Sequence, residues 1–558
     1  MSGLISNLAT SSKALSVQSK GLEIAGKNLA NINNRNYAKQ RVEIGDRGSI
    51  NTGIATESMG VEAIELRQNR DALLDKTVMR EYTASSGLEA AKKVLESAES
   101  ALGQFLDRTK DSTSIQNAIG ASGGGISDAL SDFFNQWESF SVKPNDVGEK
   151  QLLIAKAQIL AEKINATDKN LKQVQTDADN QLTTDVGIVN GILAEIAKTN
   201  EYIAKAELVK PYSAVDLRDQ RQAKLEELSK YIDVTFESSE LGQITVKSGD
   251  STLIDGKVVT GQTTDTATGQ LTGPFSYDAT EKNIKLDSVE FNSNGKLGAQ
   301  LTASTETVQT TRNQIKDLAI QLKQEVNNTY EANGGSQDFF NFSVTSTGLL
   351  NLQFNSSMML SAGSAGGNSR ALEVAELGAK IYSDSGKVEL TSSLNHTLTN
   401  GDTVTIGEGT TTYKVEVLSD KSFMLRSNAV PSTTPATYSY NVPSERPLVI
   451  KRNGSAVTTA EVPSSGVRNL NFAGSFSTNF NTTVTELAQK LNTTNIRLED
   501  QKLSEEMAVS NRDSFSGVSQ DEELTDLMKF QRSFQATSRF INVVDNLLDQ
   551  VVNRMGSF

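Results

Sequence analysis

The chain has 558 residues, a formal net charge of −14 and a single histidine, His396, and it contains no cysteine. The missing cysteines exclude disulfide frameworks, thiolate metal sites and thiol catalysis, and the single histidine excludes sites that need two imidazoles. The excess of acidic residues disfavours general binding to nucleic acids or anionic membranes, so neither partner is expected, and no cofactor or metal is predicted.

The N-terminal residues 1–34 carry a helical apolar pattern. Leu8, Leu15, Leu22 and Leu29 recur every seven residues, which is the spacing of a coiled-coil stripe. The asparagine-rich run that follows is expected to end the helix, because asparagine competes for backbone hydrogen bonds. The segment contains no apolar run suited to a secretory signal, and no window of the chain approaches the ~18 apolar residues of a membrane span.

The middle of the chain alternates between helical and β-rich character. Amphipathic or Gly- and Pro-poor segments predict helices at 126–141, 149–206, 216–231 and 306–332, and again from residue 483. The predicted apolar face of the first of these helices consists of Ile126, Leu130, Phe133, Phe134, Trp137 and Phe140. Short runs broken by Gly, Asp, Thr and Ser predict antiparallel strands at 232–299 and 337–475. The predicted fold class is α+β multidomain, in which long terminal helices form a coiled-coil or helical stalk and β-rich domains are inserted between helical segments.

The C-terminal segment has the stronger apolar seam. Alternating steps of three and four from Leu527 give nine seam positions, of which Thr537 is the only polar one. Ser519 is a predicted N-cap, and Asp521 to Glu523 follow it in the first turn, where the helix dipole favours acids. The pattern predicts a helix of about 35 residues that reaches the end of the chain.

The two terminal seams together predict assembly. Eight buried seam side chains would contribute about 12–24 kcal/mol gross, and the same stripe left exposed would favour aggregation. One N-terminal seam is too polar to cover this stripe well, so further copies are expected to cover it. The candidate assembly residues are Leu8, Leu15, Leu22, Leu29, Leu527, Phe530, Phe534, Ile541, Val544 and Leu548.

Three features that could carry chemistry have simpler interpretations. Gly120–Gly124 matches the G-x-S-x-G pattern, but no apolar strand precedes it, so we interpret it as a flexible linker. His396 is expected at a surface strand or turn. The acidic residues Asp216, Asp219 and Glu226 alternate with arginines and are interpreted as a solvated helix face. No catalytic residue is predicted.

The two ends of the chain resemble the axial proteins of the bacterial flagellum. Leu22–Asn33 (LEIAGKNLANIN) is similar to the N-terminal signature of rod, hook and hook-associated proteins. Gly517–Leu524 (GVSQDEEL) and Phe530–Ala536 (FQRSFQA) are most similar to the inner of the two hook–filament junction families. The resemblance covers residues 1–340 and 480–558. Where the signature has Thr-Pro-Gly-Tyr this chain has Asn34-Arg35-Asn36-Tyr37, and Asn36 is expected in the left-handed conformation of the glycine.

The resemblance implies a structural subunit of the extracellular flagellum, exported through the flagellar type III apparatus without a cleaved signal peptide. The implied partners are other copies in a ring, hook protein on one side, the second junction protein on the other, and a cytoplasmic export chaperone. The chaperone would bind residues of about 518–558, with the candidates Phe534, Ile541, Leu547, Leu548 and Val551.

The resemblance also predicts seven segments. They are an N-terminal helix and asparagine-rich turn of an inner tube domain, a first stalk part, a β-rich domain, a helical return, a variable β-rich outer domain, a second stalk part and a C-terminal assembly helix of the inner tube domain. Their predicted bounds are 1–65, 66–231, 232–300, 301–336, 337–476, 477–516 and 517–558.

Two alternatives stay open at this point. The chain could be hook protein itself or another axial subunit, although the long helical region 149–206 and the Gly517–Glu523 signature favour the junction family. In a different class, it could be a coiled-coil surface adhesin whose β-rich insertion, residues 341–475, binds glycans.

Overall fold

The structure is a computed structural model that describes most of the chain. The described residues are 2–46, 49–51, 56–58, 60–103, 125–208, 213–238, 242–261, 263–264, 271–292, 294–332, 337–357, 368–382, 388–392, 394–406, 412–418, 420–427, 449–452, 455–457, 462, 467–469 and 474–550. The Gly120–Gly124 linker prediction and Val551 lie outside these residues. No helix within them is long and apolar enough to cross a membrane.

The helices follow the predicted order. They are α1 (Ser2–Ala30), α2 (Ala72–Ala101), α3 (Ile126–Val142), α4 (Val147–Glu207), α5 (Val215–Tyr231), α6 (Lys296–Thr302), α7 (Gln309–Ala332), α8 (Ser369–Glu376), α9 (Phe476–Ser516) and α10 (Gln520–Asp549). A π-helical turn, Ala303–Val308, joins α6 to α7, so the helix predicted at 306–332 begins ten residues earlier. The short helix α8 was not predicted, because it lies within a Ser- and Gly-rich stretch.

The strands form small antiparallel sheets. They are β1 (Gln40–Asp46), β2 (Ser49–Asn51), β3 (Thr56–Ser58), β4 (Val61–Gln68), β5 (Thr235–Ser238), β6 (Ile244–Ser248), β7 (Ser251–Asp255), β8 (Val258–Val259), β9 (Thr263–Thr264), β10 (Leu271–Thr272), β11 (Phe275–Asp278), β12 (Asn283–Leu286), β13 (Val289–Glu290), β14 (Phe340–Val344), β15 (Leu350–Phe354), β16 (Val388–Thr391), β17 (Thr403–Ile406), β18 (Tyr413–Val417), β19 (Ser422–Ser427), β20 (Ile450–Arg452), β21 (Ser455–Ala456) and β22 (Val467–Asn469). The β1–β4 pair, with a bulge at Glu43/Ile44, was not predicted.

The chain divides into two compact units. The first unit comprises residues 1–91, 180–301 and 495–558, and the second comprises 92–179 and 302–494. The divisions between them along the chain fall within the helices α2, α4, α6 and α9. Each unit has its own apolar core.

The core of the first unit lies under the C-terminal half of α4. Leu182, Val186, Val189, Leu193 and Ile196 follow the three- and four-residue spacing of one helical face, and all are buried. They pack with apolar residues of α5 and of the strands β6, β7, β11 and β12. The sheet β5–β6–β7–β8 and the sheet β11–β12–β13 therefore sit on a helical support. This packing forms the main apolar core of the first unit.

The core of the second unit is an aromatic cluster built on α3. The face predicted to be apolar is buried, with Phe133, Trp137 and Phe140 fully enclosed. Trp137 lies 5.2 Å from Phe339 and 6.2 Å from Tyr330, measured between ring centroids. Offset and edge-on aromatic contacts at these distances add to the burial energy. The predicted face of α3 is confirmed.

The insertion in the second unit forms a seven-stranded sheet, in the order β21–β20–β17–β18–β19–β16–β22. Its buried side is lined by apolar residues, among them Val404, Val415 and Phe423. His396 is partly buried beside this sheet, with its ring edge-on to Phe423 at 5.1 Å. The prediction of a surface position for His396 is therefore corrected to a position against the sheet core.

Candidate functional site: the paired terminal helices

The two ends of the chain meet in the first unit, where α1 packs against α10. The two helices approach closely at Gly21, because a Cβ atom added there would lie 2.7 Å from the ring of Phe530. Glycine thus lets the aromatic ring contact the α1 backbone directly. Val17, Ile24 and Ala25 are buried on the same side of α1. The expected pairing of the terminal helices is observed.

The leucine seam of α1 is not its most buried face. Leu8, Leu15, Leu22 and Leu29 are all partly buried, whereas Val17, Gly21 and Ile24 are enclosed. At about 100° per residue, the leucines are displaced by roughly a third of a turn from the packed face. The four leucines therefore flank the contact with α10 and keep part of their surface uncovered.

The predicted residues of α10 are covered unevenly. Val544 is buried, and Leu527, Phe530, Phe534, Ile541 and Leu548 are partly buried. Leu547, one of the predicted chaperone contacts, is exposed, as are Phe540 and Val543 beside it. The α10 helix thus presents a second apolar surface that the described part of the chain does not cover.

A buried polar cluster connects the helix pair to the rest of the unit. We call Asn28, Tyr37, Lys39, Gln40 and Glu523 the terminal latch. The Asn28 amide nitrogen donates to the Gln40 carbonyl at 2.8 Å and to the Glu523 carboxylate at 3.0 Å. Its oxygen accepts from the Tyr37 hydroxyl at 2.8 Å and from the Gln40 N–H at 3.0 Å. All the hydrogen-bonding capacity of this buried amide is used, which gives the joint a single geometry.

Lys39 adds two ion pairs to the terminal latch. Its ammonium lies 2.7 Å from Glu522 and 3.2 Å from Glu523, at the start of α10. Burial lowers the pKa of Lys39, but the hydrogen bonds to both glutamates outweigh burial, and the net pKa is raised. The Lys39 N–H also donates to the Ser516 carbonyl at 2.8 Å. The strand β1 is thereby held against the connection between α9 and α10.

Ser519 occupies the N-cap position predicted for α10, but its side chain makes no capping hydrogen bond. The three acids of the first turn lie at the positive end of the helix dipole as expected, and Glu523 is buried. The side chain of Glu523 accepts from Asn28 instead of remaining in solvent. Glu523, which the sequence pattern places in the first turn of the helix, thus also connects the two ends of the chain.

A second set of ion pairs supports the terminal latch. Arg70 donates to Asp219 at 2.8 Å and to Asp75 at 3.2 Å, and Arg512 donates to Glu226 at 2.8 Å. Burial raises the pKa of Asp219 to about 6, although Arg70 opposes the shift. Asp219 and Glu226 are buried, so the interpretation of this α5 segment as a solvated face was wrong for both residues. Each carboxylate is bound by a guanidinium, which suits a structural joint rather than proton transfer.

The turn after α1 is closed by asparagine side chains. The Asn34 side-chain oxygen accepts from the Asn36 N–H at 3.3 Å, and the Asn34 carbonyl accepts from the Tyr37 N–H at 3.0 Å. Asn36 does not have a positive φ, so the expected left-handed conformation is not adopted. An Asx-type hydrogen bond shapes the turn in place of a glycine.

Comparisons with known proteins find similarity to flagellar proteins. The family model described as the flagellar hook-associated protein FlgK helical domain matches residues 112–340, and the flagellar basal body rod FlgEFG protein C-terminal model matches residues 509–555. Flagellar hook-associated protein 1 of Bacillus subtilis (strain 168) is 23% identical over 576 residues, covering 100% of this chain and 99% of that protein.

Two further relatives cover the chain as completely. Flagellar hook-associated protein 1 of Escherichia coli (strain K12) is 23% identical, with 99% of this chain and 100% of that protein covered. The protein of the same name from Salmonella typhimurium is 22% identical, with 99% of this chain and 100% of that protein covered.

A solved structure is also similar. The structure of the flagellar hook junction protein FlgK from Burkholderia pseudomallei is 18% identical, with a TM-score of 0.36, and the match covers 87% of this chain and 100% of the chain in that structure.

Proposed function

We propose, because the chain belongs to the FlgK family of flagellar hook-associated proteins, that it is a structural subunit of the bacterial flagellum at the hook–filament junction. The family membership rests on relatives that match along their whole length. The structural observation that supports assembly is the incomplete cover of the terminal seams. Leu22, Phe530 and Phe534 stay partly exposed even though α1 and α10 pack on each other.

The partly covered seams give assembly a physical reason. Apolar area removed from water contributes about 25 cal/mol per Å², so copies that cover the remaining seam gain stability on association. The terminal latch holds α1 and α10 in one mutual geometry, and a fixed geometry lowers the entropic cost of docking. The terminal helices of several copies would then form a closed ring.

The proposed partners follow from the position in the flagellum. The subunit would bind hook protein on one side and the second junction protein on the other, and it would reach this place through the flagellar type III apparatus. The location would be extracellular. A ring at the junction would connect hook to filament mechanically, with the β-rich insertion in an outer position.

A cytoplasmic export chaperone is proposed to bind α10 before export. Phe534, Ile541, Leu547, Leu548 and Val551 are the candidate contacts. Exposed Leu547 lies beside Phe540 and Val543, which form an apolar surface available to such a partner. A chaperone that covers this surface would prevent premature association of the C-terminal helix.

We propose no enzymatic activity for this chain. The family is structural, and the buried carboxylates of the first unit are bound to arginines that hold the joint. The adhesin alternative and the hook-protein alternative are not favoured, because full-length relatives are hook-associated proteins.

The location can be tested with an epitope inserted at Gly401, an exposed turn with a φ of +86° and no atom within 4 Å of an added Cβ. Immunogold labelling of flagellated cells is expected to mark one short zone per flagellum, at the distal end of the hook. Label along the filament would indicate a different axial subunit, and label over the cell body would support the adhesin alternative.

A further inference from the structure

An apolar stripe runs along the outer side of α9 in the first unit. Ile496, Leu503 and Met507, which we call the α9 stripe, have exposed fractions of 53%, 62% and 67%. Their spacing of seven and four residues places them on one face of the helix. Three large apolar side chains that are more than half exposed on one face of a helix form a surface suited to a partner.

The opposite side of α9 already has its partner within the chain. Ala508 and Val509 pack with Val78 and Tyr82 of α2. The Gln501 amide donates to the Glu81 carboxylate at 2.6 Å on the same side. The α9 stripe therefore faces away from the core, and within the described residues its side chains remain largely uncovered.

Acidic residues flank the α9 stripe at heptad spacing. Glu499, Glu506 and Asp513 lie seven residues apart, about 80° around the helix from the stripe. All three are exposed, and Asp513 also accepts hydrogen bonds from Arg512 at 3.1 and 3.2 Å. A partner helix that covers the stripe would consequently meet a row of negative charge at intervals of about 10.5 Å.

The α1 helix carries the complementary row. Lys13, Lys20 and Lys27 are also seven residues apart, and the side chains of Lys20 and Lys27 are 43% and 46% exposed. Both bind Glu23 of the same helix, at 2.9 and 3.4 Å, so one carboxylate offsets the three lysines only in part and the row keeps a net positive charge. Between these lysines and the partly buried leucines, the outer face of α1 carries the short exposed side chains of Ser12, Ser16 and Ser19, together with Glu23. A helix can lie on this face with its apolar stripe beside the leucines and its acids beside the lysines.

We propose that the α9 stripe of one copy docks on this outer face of α1 in a second copy. Opposite charges at the same spacing favour this occupant over an unrelated partner. The two surfaces are different, so the contact is head-to-tail and repeats from copy to copy until a ring closes. The inference rests on the proposed assembly function and names the surfaces that meet.

The charge rows specify a central pair. Whether the two helices run parallel or antiparallel, aligning three acids with three lysines brings Glu506 opposite Lys20. Met507 and Ser19 lie one residue away from this pair. A test at the centre of the contact therefore does not depend on the direction of the helices.

The cysteine-free chain permits a direct test. A Ser19→Cys copy and a Met507→Cys copy are expressed together in the full-length protein, and isolated hooks and filaments are treated with a short bis-maleimide. We expect a covalent dimer from the mixture and none from either variant alone. Junctions that contain both variants without the dimer would overturn the docking contact and leave the proposed function intact, whereas loss of both variants from the flagellum would contradict the proposed function as well.

Charge reversal provides the matched comparison. Introducing Glu506→Lys into the Met507→Cys copy is expected to lower the dimer yield at least about fivefold, and adding Lys20→Glu to the Ser19→Cys copy should restore it to within about twofold. Glu89→Lys, at an exposed acid of α2, is the control and should leave the yield unchanged. An unchanged yield with Glu506→Lys, or no recovery with Lys20→Glu, would contradict the charge pairing.

Discussion

Replacing Phe534 with aspartate is expected to abolish incorporation of the protein at the junction while both units remain folded. Phe534 is partly buried on the seam of α10, and a carboxylate there would face apolar surface. Burying an unpaired charge costs at least about 3 kcal/mol, so the seam would stay open to water. In a strain that carries only this variant, electron microscopy should show hooks without filaments, with filament protein in the medium.

The control for this prediction is Met528→Asp, which changes an exposed apolar residue of the same helix. It adds the same charge to α10 at a position away from the seam, and filaments should form. The purified Phe534→Asp protein should keep the near-ultraviolet circular dichroism signal of the aromatic cluster around Trp137. Normal filament attachment with Phe534→Asp would contradict the assignment of this seam to assembly.

Asn28→Ala is expected to loosen both chain ends at once. The substitution removes four hydrogen bonds and leaves the buried Gln40 N–H and the buried Glu523 carboxylate with fewer partners. Unsatisfied buried groups cost about 1–3 kcal/mol each, so two of them cost at least about 2 kcal/mol, and amides of α1 and of the start of α10 should exchange at least about 30-fold faster. Hydrogen exchange read by mass spectrometry measures this change, and amides of α3 should be unaffected.

The matched control for the terminal latch is Asn31→Ala. Asn31 directly follows α1, but its side chain makes only exposed hydrogen bonds: it donates to the Lys27 carbonyl at 2.9 Å and accepts from the Asn34 amide at 3.3 Å. We expect a change in exchange of less than about threefold for this variant, because water can replace the lost partner. Equal exchange rates for Asn28→Ala and the unsubstituted chain would mean that the terminal latch does not hold the chain ends.

The predictions from sequence were most accurate for the features of the fold that hydrophobic periodicity determines. The apolar face of α3 agrees with the structure residue by residue, because a buried amphipathic helix has one dominant face. The predicted helical stalk of long terminal helices agrees with the packing of α1 on α10. The fold class and the alternation of helical and β-rich segments follow from the same signal.

The hydrophobic pattern did not predict the contacts that depend on small or polar residues. The packed face of α1 is centred on Gly21 and Asn28, and neither residue is strongly hydrophobic. The leucines that dominate the hydrophobic pattern lie beside this face. From the sequence, Glu226 and Asp219 were interpreted as solvated charges on a helix face. Their partners, Arg512 and Arg70, are distant in sequence, so the ion pairs could not be predicted. Asn28 and Glu523 of the terminal latch lie in the two segments that resemble axial proteins. The hydrogen bond between them could be assigned only from the structure.

The central claim is that this chain connects hook to filament, and deletion of its gene tests that claim most directly. If the claim holds, the deletion strain assembles hooks of normal length, lacks filaments and releases filament protein into the medium, and a plasmid copy of the gene restores filaments. Full-length filaments on the deletion strain would contradict the account.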